Sequence, residues 1–271
     1  MKKKIGFICF EGMSGSGKTT LVKSLCSFFE KQNIPYSVSS EPTKKPTKRN
    51  FFGFAIRKLI EGSSLTKAEI KKFKSSVIFF IEHQKTNGGL TERKKQFNVK
   101  LNSIVGKLSF GTGLTEFDRQ IIFIADRYFH SIEFISPTKK NNIVLEDRYD
   151  LSTAAHYSAV TNSDANFLGM WQYPVLNGVY EKPDIIFYLR VSAEEALSRQ
   201  IATGKVLDRY EGNLGKIRKL ANAYEDSLIQ FKNAKEGDPR HRSNIVCIDA
   251  SKSAERVFRE VKNFLTSYYD F

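Results

Sequence analysis

Eight consecutive residues, Gly12-Met13-Ser14-Gly15-Ser16-Gly17-Lys18-Thr19, have the types and spacing to hold a chain of phosphates. Their glycines let successive backbone N–H groups turn inward around phosphate oxygens, and a helix beginning near Gly17 adds the positive end of its dipole to the same place. Lys18 can bridge the β and γ phosphates of a nucleoside triphosphate, and the Thr19 hydroxyl can ligate Mg²⁺. Gly12, Gly15, Ser16, Gly17, Lys18, Thr19 and Thr20 are therefore candidate ATP-binding residues, with Lys18 also catalytic. The bland alternative is a Gly/Ser turn of no consequence. Context argues against it, because the loop follows the apolar run Ile5 to Phe10 and precedes a helical pattern.

A second group, Glu146-Asp147-Arg148-Tyr149, follows the apolar run Ile143-Val144-Leu145. A carboxylate at a strand end can hold a water on Mg²⁺, and an adjacent arginine can neutralise a phosphoryl oxygen. Thr19 and Asp147 are thus the candidate metal residues, and Asp147 and Arg148 are candidate catalytic residues. The competing reading is a surface salt bridge. Third, Asp126-Arg127 interrupts an apolar helical face with Phe123 one turn earlier. Either the pair satisfies itself, or Arg127 and Phe123 face a planar or phosphorylated ligand. Fourth, Arg199, Lys205 and Arg209 surround the turn Ala202-Thr203-Gly204. Mobile cations there could close over the charge that builds on a transferring phosphoryl group, or simply form a solvated helix end.

The elements that must position these groups alternate along the chain, the signature of a parallel sheet covered on both faces. Strands are predicted at Ile5 to Phe10, Tyr36 to Ser40, Asn141 to Glu146, Asp184 to Val191 and Asn244 to Asp249. Predicted helices run from Gly17 to Lys31, Phe51 to Glu61, Ser64 to about Gln84, and Thr115 to about Ile135. Further helices span Ala193 to Thr203, Leu214 to Phe231 and Ser253 to Tyr268. Asn87-Gly88-Gly89 is a break, and from there to Gly113 the pattern reads as loop or short helix. This predicts an α/β P-loop fold: three layers, α/β/α, around a five-stranded parallel sheet, with a helical lid and a basic helical insertion. Ligands are expected at the carboxyl ends of the strands. The domain expectation is a single domain over 1–271, with 62–116 as an extended basic insertion within it.

The 271 residues carry a formal net charge of +14, and its location matters more than its size. Between Lys44 and Lys107 stand 16 lysines and arginines against 4 acids. That segment is a solvated face, a steering surface for an anionic substrate, or a nucleic-acid surface. The last is the least favoured, because few aromatics interleave the charges from Thr66 to Gly113. No apolar run reaches the roughly 18 residues that span a bilayer, and Met1-Lys2-Lys3-Lys4 leads into the first strand without a signal-peptide core. No membrane partner and a cytoplasmic location are therefore expected. Cys9, Cys26 and Cys247 are widely spaced in apolar stretches and predict buried, reduced thiols rather than disulfides or a zinc site.

Seven stretches together carry a family resemblance: Phe10-Glu11-Gly12 into the P-loop, Glu41-Pro42, Ile122-Phe123-Ile124-Ala125-Asp126-Arg127, Asp147-Arg148-Tyr149-Asp150-Leu151-Ser152, Lys182-Pro183-Asp184, Asp208-Arg209-Tyr210-Glu211 and Asp249-Ala250-Ser251. In this order they resemble thymidylate kinases, nucleoside monophosphate kinases of the P-loop class that serve nucleotide biosynthesis. The resemblance implies transfer of the γ-phosphoryl of ATP, with Mg²⁺, to a nucleoside monophosphate, most simply dTMP to dTDP. It implies that Phe123 stacks on the acceptor base, Arg127 bonds the base edge, and Ser152 or Thr153 reaches the same base. Arg148 and a basic residue near Arg49 or Arg57 would grip the acceptor phosphate, Glu41 would belong to the acceptor site, and Tyr210 would pack beside the sugar. Asp249, Ala250 and Ser251 would cradle adenine. With no basic residue among Met13 to Ser16, the chain resembles the subtype whose catalytic cations, here Arg199, Lys205 and Arg209, sit in the lid. A homodimer is also implied.

Three departures accompany the resemblance. Ser14 stands where the family places an acid for the sugar 3′-hydroxyl, His156 stands where it places Tyr or Phe against the 2′ position, and the link from Gly62 to Glu116 is several times longer. Two rivals stay open at this point: a deoxynucleoside kinase using Glu41 as base, and a nucleotide-responsive P-loop protein whose basic insert binds nucleic acid with little turnover.

Overall fold

The computed structural model describes residues 6–87, 89–164, 166–204, 212–236, 238, 241 and 244–268. They fall into two compact units. One comprises Met1–Ser40, Thr138–Ala159 and Lys182–Phe271; the other comprises Glu41–Pro137 and Val160–Glu181.

The first unit is built on a five-stranded sheet ordered β2-β3-β1-β4-β5, with every pairing parallel. The strands are β1 (Phe7–Glu11), β2 (Tyr36–Ser40), β3 (Ile143–Asp147), β4 (Ile185–Arg190) and β5 (Ile245–Asp249). Central β1 is buried along its whole length, as a strand covered on both faces must be, which is why its sequence is a continuous apolar run rather than an alternation. It begins at Phe7 rather than Ile5, and Ile5 lies outside the described residues. Helices α1 (Lys18–Lys31), α9 (Ala193–Ala202), α10 (Leu214–Asn233) and α11 (Ala254–Tyr268) belong to this unit, and α7 (Asp150–Thr161) begins in it. Their apolar stripes enclose a core in which Phe10 stacks on Phe187 at 5.9 Å between ring centroids, with Leu25, Phe29, Val261 and Leu265 fully buried around it. This is the α/β/α P-loop architecture expected from the alternating pattern.

The second unit is helical and has a core of its own. It contains α2 (Phe52–Ile60), α3 (Lys67–Thr86), α4 (Glu92–Phe110), α5 (Glu116–His130), a π-helical turn Ser131–Ile135 running into the short α6 (Ser136–Thr138), and α8 (Asn166–Leu176). Thr66 caps α3 in a reciprocal box with Glu69. Lys58 also bonds Glu69 at 2.8 Å and, with the Thr66 N–H, holds its carboxyl down at about 2.

Helix α4 corrects the expectation of loop or short helix after Asn87. Its 19 residues start at a Thr91 cap, and they bury Phe97, Leu101 and Ile104 at helical spacing, with Lys94 and Asn98 on the same face. Those polar residues in the buried stripe disguise the period. Helix α8 was also unanticipated, and it carries Pro174 internally. Phe80 packs on Phe97 at 5.5 Å and Phe52 meets Phe73 edge-on at 5.2 Å. Of the three free cysteines only Cys9 is buried; Cys26 of α1 and Cys247 of the edge strand β5 are half-buried, packed against the margin of the first unit's core.

The packing of α4 sets its energetics. Phe97→Ala should destabilise the protein by about 3–5 kcal/mol, whereas Val99→Ala, on the 68% exposed outer face, should change stability by less than about 0.5 kcal/mol. Chemical denaturation of both variants checks this, and equal costs would contradict the packing of α4.

Candidate functional site

In the first unit the phosphate loop leaves the carboxyl end of β1. Gly12, Gly15 and Gly17 have φ of +138°, +84° and +89°, conformations that L side chains resist. At Gly12 a Cβ would lie 2.7 Å from the Leu189 carbonyl oxygen, and at Gly15 it would overlap the Ala196 carbonyl. Close approach and backbone sign thus both demand glycine there. Helix α1 starts at Lys18 with no side-chain cap, so the N–H groups of its first turn face the loop as an anion site. Ser16 is buried, Thr20 is exposed, and Lys18 Nζ donates to the carbonyls of Gly12 at 2.8 Å and Met13 at 2.9 Å.

Strand pairing brings the second motif to this loop. Phe10 of β1 lies opposite Asp147 of β3, and the Thr19 hydroxyl donates to Asp147 Oδ2 at 3.3 Å. Asp147 Oδ1 is buried without a hydrogen-bond partner. A hydroxyl and a carboxylate with an unsatisfied buried oxygen are the hard donors that suit a water-ligated Mg²⁺. Arg148 follows at φ +75°, a left-handed conformation costly for a side chain of its size. Its guanidinium donates to the Gly12 carbonyl at 3.0 Å, Tyr224 Oη at 3.0 Å and Ser14 Oγ at 3.1 Å. The Ser14 carbonyl in turn accepts from Gln200 Nε2 at 3.2 Å. Tyr224 and Gln200 were missed in the sequence because each sits in an ordinary helical stripe of α10 or α9.

The remaining candidates of this unit are placed as follows. Ser152 gives its hydroxyl to the Glu11 carboxylate and meets Tyr224 Oη at 2.8 Å, rather than presenting it outward. Thr153 bonds back to the Tyr149 carbonyl at 3.4 Å. The His156 ring lies 2.8 Å from the Ser152 carbonyl and edge-on to Tyr224. Arg199 donates to Glu195 one turn earlier on α9. Lys205, Arg209 and Tyr210 lie outside the described residues. At the end of β5, Asp249 accepts from the Ser251 hydroxyl at 2.6 Å and its N–H at 3.1 Å, bonds that hold its carboxyl below the usual range. Ala250 is buried, and its N–H donates to the Arg190 carbonyl at 2.8 Å.

In the second unit Arg127 is fully buried. Its Nε donates to Glu41 Oε1 at 2.8 Å, a second nitrogen bonds the other Glu41 oxygen, and a third bonds Gln172 of α8. The local pairing of Arg127 with Asp126 is therefore corrected. Asp126 instead accepts from the Thr43 N–H at 2.8 Å and Asn50 Nδ2 at 2.7 Å, tying the segment after Pro42 to α5. The bidentate carboxylate fixes the plane of the guanidinium. Arg57 bonds the Pro42 carbonyl, and Phe123 is half-buried against the unit's core. Gln172 has no motif around it that sequence reading could have used.

Among the described residues no cluster of three or more His, Cys, Asp or Glu could hold a metal by itself, and no helix is long and apolar enough to cross a membrane.

The chain is 26% identical to the thymidylate kinase of Mesoplasma florum, over 96% of this chain and 94% of that one. It is 27% identical to the thymidylate kinase of Leptospira interrogans serovar copenhageni over 98% and 96%, and 30% identical to a probable thymidylate kinase of Methanocaldococcus jannaschii over 60% and 78%. The thymidylate kinase family model matches residues 63–261. With a phosphate loop, an Asp-Arg pair at the end of the adjoining strand and a match across most of its length, the chain belongs to the thymidylate kinase family.

Proposed function

We propose that the protein transfers the γ-phosphoryl group of ATP to dTMP, giving ADP and dTDP. The observation that carries the reading is the junction of Lys18, Thr19, Asp147 and Arg148 at the ends of β1 and β3, in a chain of this family. The acceptor phosphate is already an anionic nucleophile, so the protein supplies position and positive charge rather than a strong base.

In this reading the N–H groups of Gly15 to Thr19 hold the donor phosphates. Lys18 exchanges its loop carbonyls for phosphate oxygens, and Asp249, Ala250 and Ser251 line the adenine. Thr19 and Asp147 would hold Mg²⁺, which would supply neutralising charge to the donor phosphates. Arg148 leaves Ser14 to meet the acceptor phosphate, aided by Arg57. Arg199 of α9, with Lys205 and Arg209, meets the transferring group. Arg127, oriented by Glu41 and Gln172, reads the base edge, and Phe123 stacks on the base. Ser14 and His156 are assigned to the sugar, and Tyr210 beside it. We further assign the protein to the cytoplasm as a homodimer and treat 62–116 as a basic insertion within one working kinase domain.

A coupled ADP-release assay with ATP, Mg²⁺ and dTMP, dUMP, dCMP, UMP or thymidine tests the reading. Preference for dTMP supports it; turnover of thymidine without dTMP contradicts it. Lys18→Ala should lower kcat by at least roughly a hundredfold while the thermal midpoint stays near that of the parent. Arg127→Lys, which keeps the buried charge but loses the two-pronged grip, should raise KM for dTMP more than KM for ATP. Equal changes in both constants would make Arg127 a purely structural residue.

A further inference from the structure

Glu11 ends β1, directly before the phosphate loop, and is completely buried. One of its oxygens accepts the backbone N–H of Tyr149 at 2.9 Å and of Ser152 at 3.3 Å; the other takes the Ser152 hydroxyl. These N–H groups belong to the start of α7, so Glu11 caps that helix from a position 138 residues away. Between the capped helix and β3 lies the left-handed Arg148. Its conformation is costly and persists only where its surroundings fix it. The same network reaches the loop again, since Tyr224 Oη contacts Ser152 Oγ at 2.8 Å and donates to the Gly12 carbonyl at 3.2 Å.

We propose that Glu11 is a positioning residue for phosphoryl transfer: its ionised carboxylate holds the turn from Arg148 to Ser152 and, through it, the Arg148 guanidinium against the Gly12 carbonyl. The proposal rests on the kinase reading and adds a residue that touches neither substrate. The ionised form suits the donors around it, because all the hydrogen-bond contacts described are accepted by the carboxylate oxygens. Protonation would force the Ser152 hydroxyl to reverse and become an acceptor. Burial raises the carboxyl to about 7; the Ser152 hydroxyl opposes this, Asp150 adds to it, and Arg148 opposes it again. The other titratable groups facing it are Cys9 of β1, whose Sγ lies 3.8 Å away, and Tyr224 of α10, which stays neutral because burial raises its pKa. Loss of the grip is thus expected as pH falls through neutrality.

The test measures kcat for dTMP phosphorylation from pH 5.5 to 9, together with Mg·ADP affinity by calorimetry, for the parent, Glu11→Gln and Ser152→Ala. Glu11→Gln has the same shape but cannot accept on both sides. It should lower kcat roughly tenfold to a hundredfold and remove the fall of kcat near pH 7, leaving only the fall set by the substrate phosphates, whose second pKa lies at about 6. Ser152→Ala removes a bond to the charged form and should move the midpoint of that fall to higher pH. An unchanged midpoint in Ser152→Ala, or parental kcat and pH profile in Glu11→Gln, overturns the proposal. So does a loss of stability with unaltered kcat per folded molecule. If Glu11→Gln fails to fold, the Ser152→Ala midpoint decides alone. If the parent does not phosphorylate dTMP, the kinase reading fails by itself. Mg·ADP affinity then judges Glu11: weaker binding in Glu11→Gln at pH 8 supports its role, and equal binding overturns it.

Discussion

The parallel pairing of β1 with β3 is the constraint on which the first unit's chemistry depends. Because Phe10 lies opposite Asp147, the loop leaving one strand and the acidic residue ending the other emerge side by side. A two-residue slip along the strands would move the carboxylate by roughly 6–7 Å and separate it from Thr19. The register is secured at the strand's end: the Glu11 carboxylate accepts the Tyr149 and Ser152 N–H groups, and a one-residue slip would turn it to the opposite face of the sheet. The glycines then let the backbone curl where Leu189 and Ala196 leave no room for a Cβ.

Both units hold an arginine by prior hydrogen bonds rather than leaving it to find its place on the surface. Arg148 is held by the Gly12 carbonyl, Ser14 and Tyr224, and Arg127 by Glu41 and Gln172. Burying the Arg127–Glu41 ion pair offers little net stability compared with apolar packing, and Arg148 is held by neutral partners at a costly left-handed φ, so both arrangements point to orientation. A guanidinium fixed before substrate binds needs little reorganisation when charge develops nearby. The surface lysines of α3 behave differently. Lys67, Lys71, Lys74 and Lys85 are exposed and, among the described residues, none has a carboxylate within salt-bridge distance, while Glu69 and Asp118 are drawn to Lys58 and Lys107. Much of the segment's positive charge therefore stands in solvent, where salt screens it.

The phosphate loop was legible in the sequence because its conformation is encoded residue by residue: positive φ at Gly12, Gly15 and Gly17 needs glycine locally. The sheet was legible because buried parallel strands are unbroken apolar runs. Helix α4 was not, since Lys94 and Asn98 occupy its buried stripe, and α8 carries a proline that reads as a stop. Arg127 and Glu41 were each visible as candidates, yet their pairing spans 86 positions and no local pattern announces it. Glu11 was visible only as part of a resemblance. Its role arises from tertiary contacts with a turn far along the chain.

The central claim is that the atoms gathered at the ends of β1 and β3 move a phosphoryl group from ATP to dTMP. Phosphorus NMR of the protein incubated with ATP, Mg²⁺ and dTMP follows that transfer directly. The account predicts that dTDP appears in step with ADP, without inorganic phosphate, and that Lys18→Ala abolishes both. Release of inorganic phosphate in place of dTDP, or an unchanged spectrum with folded protein, would contradict it.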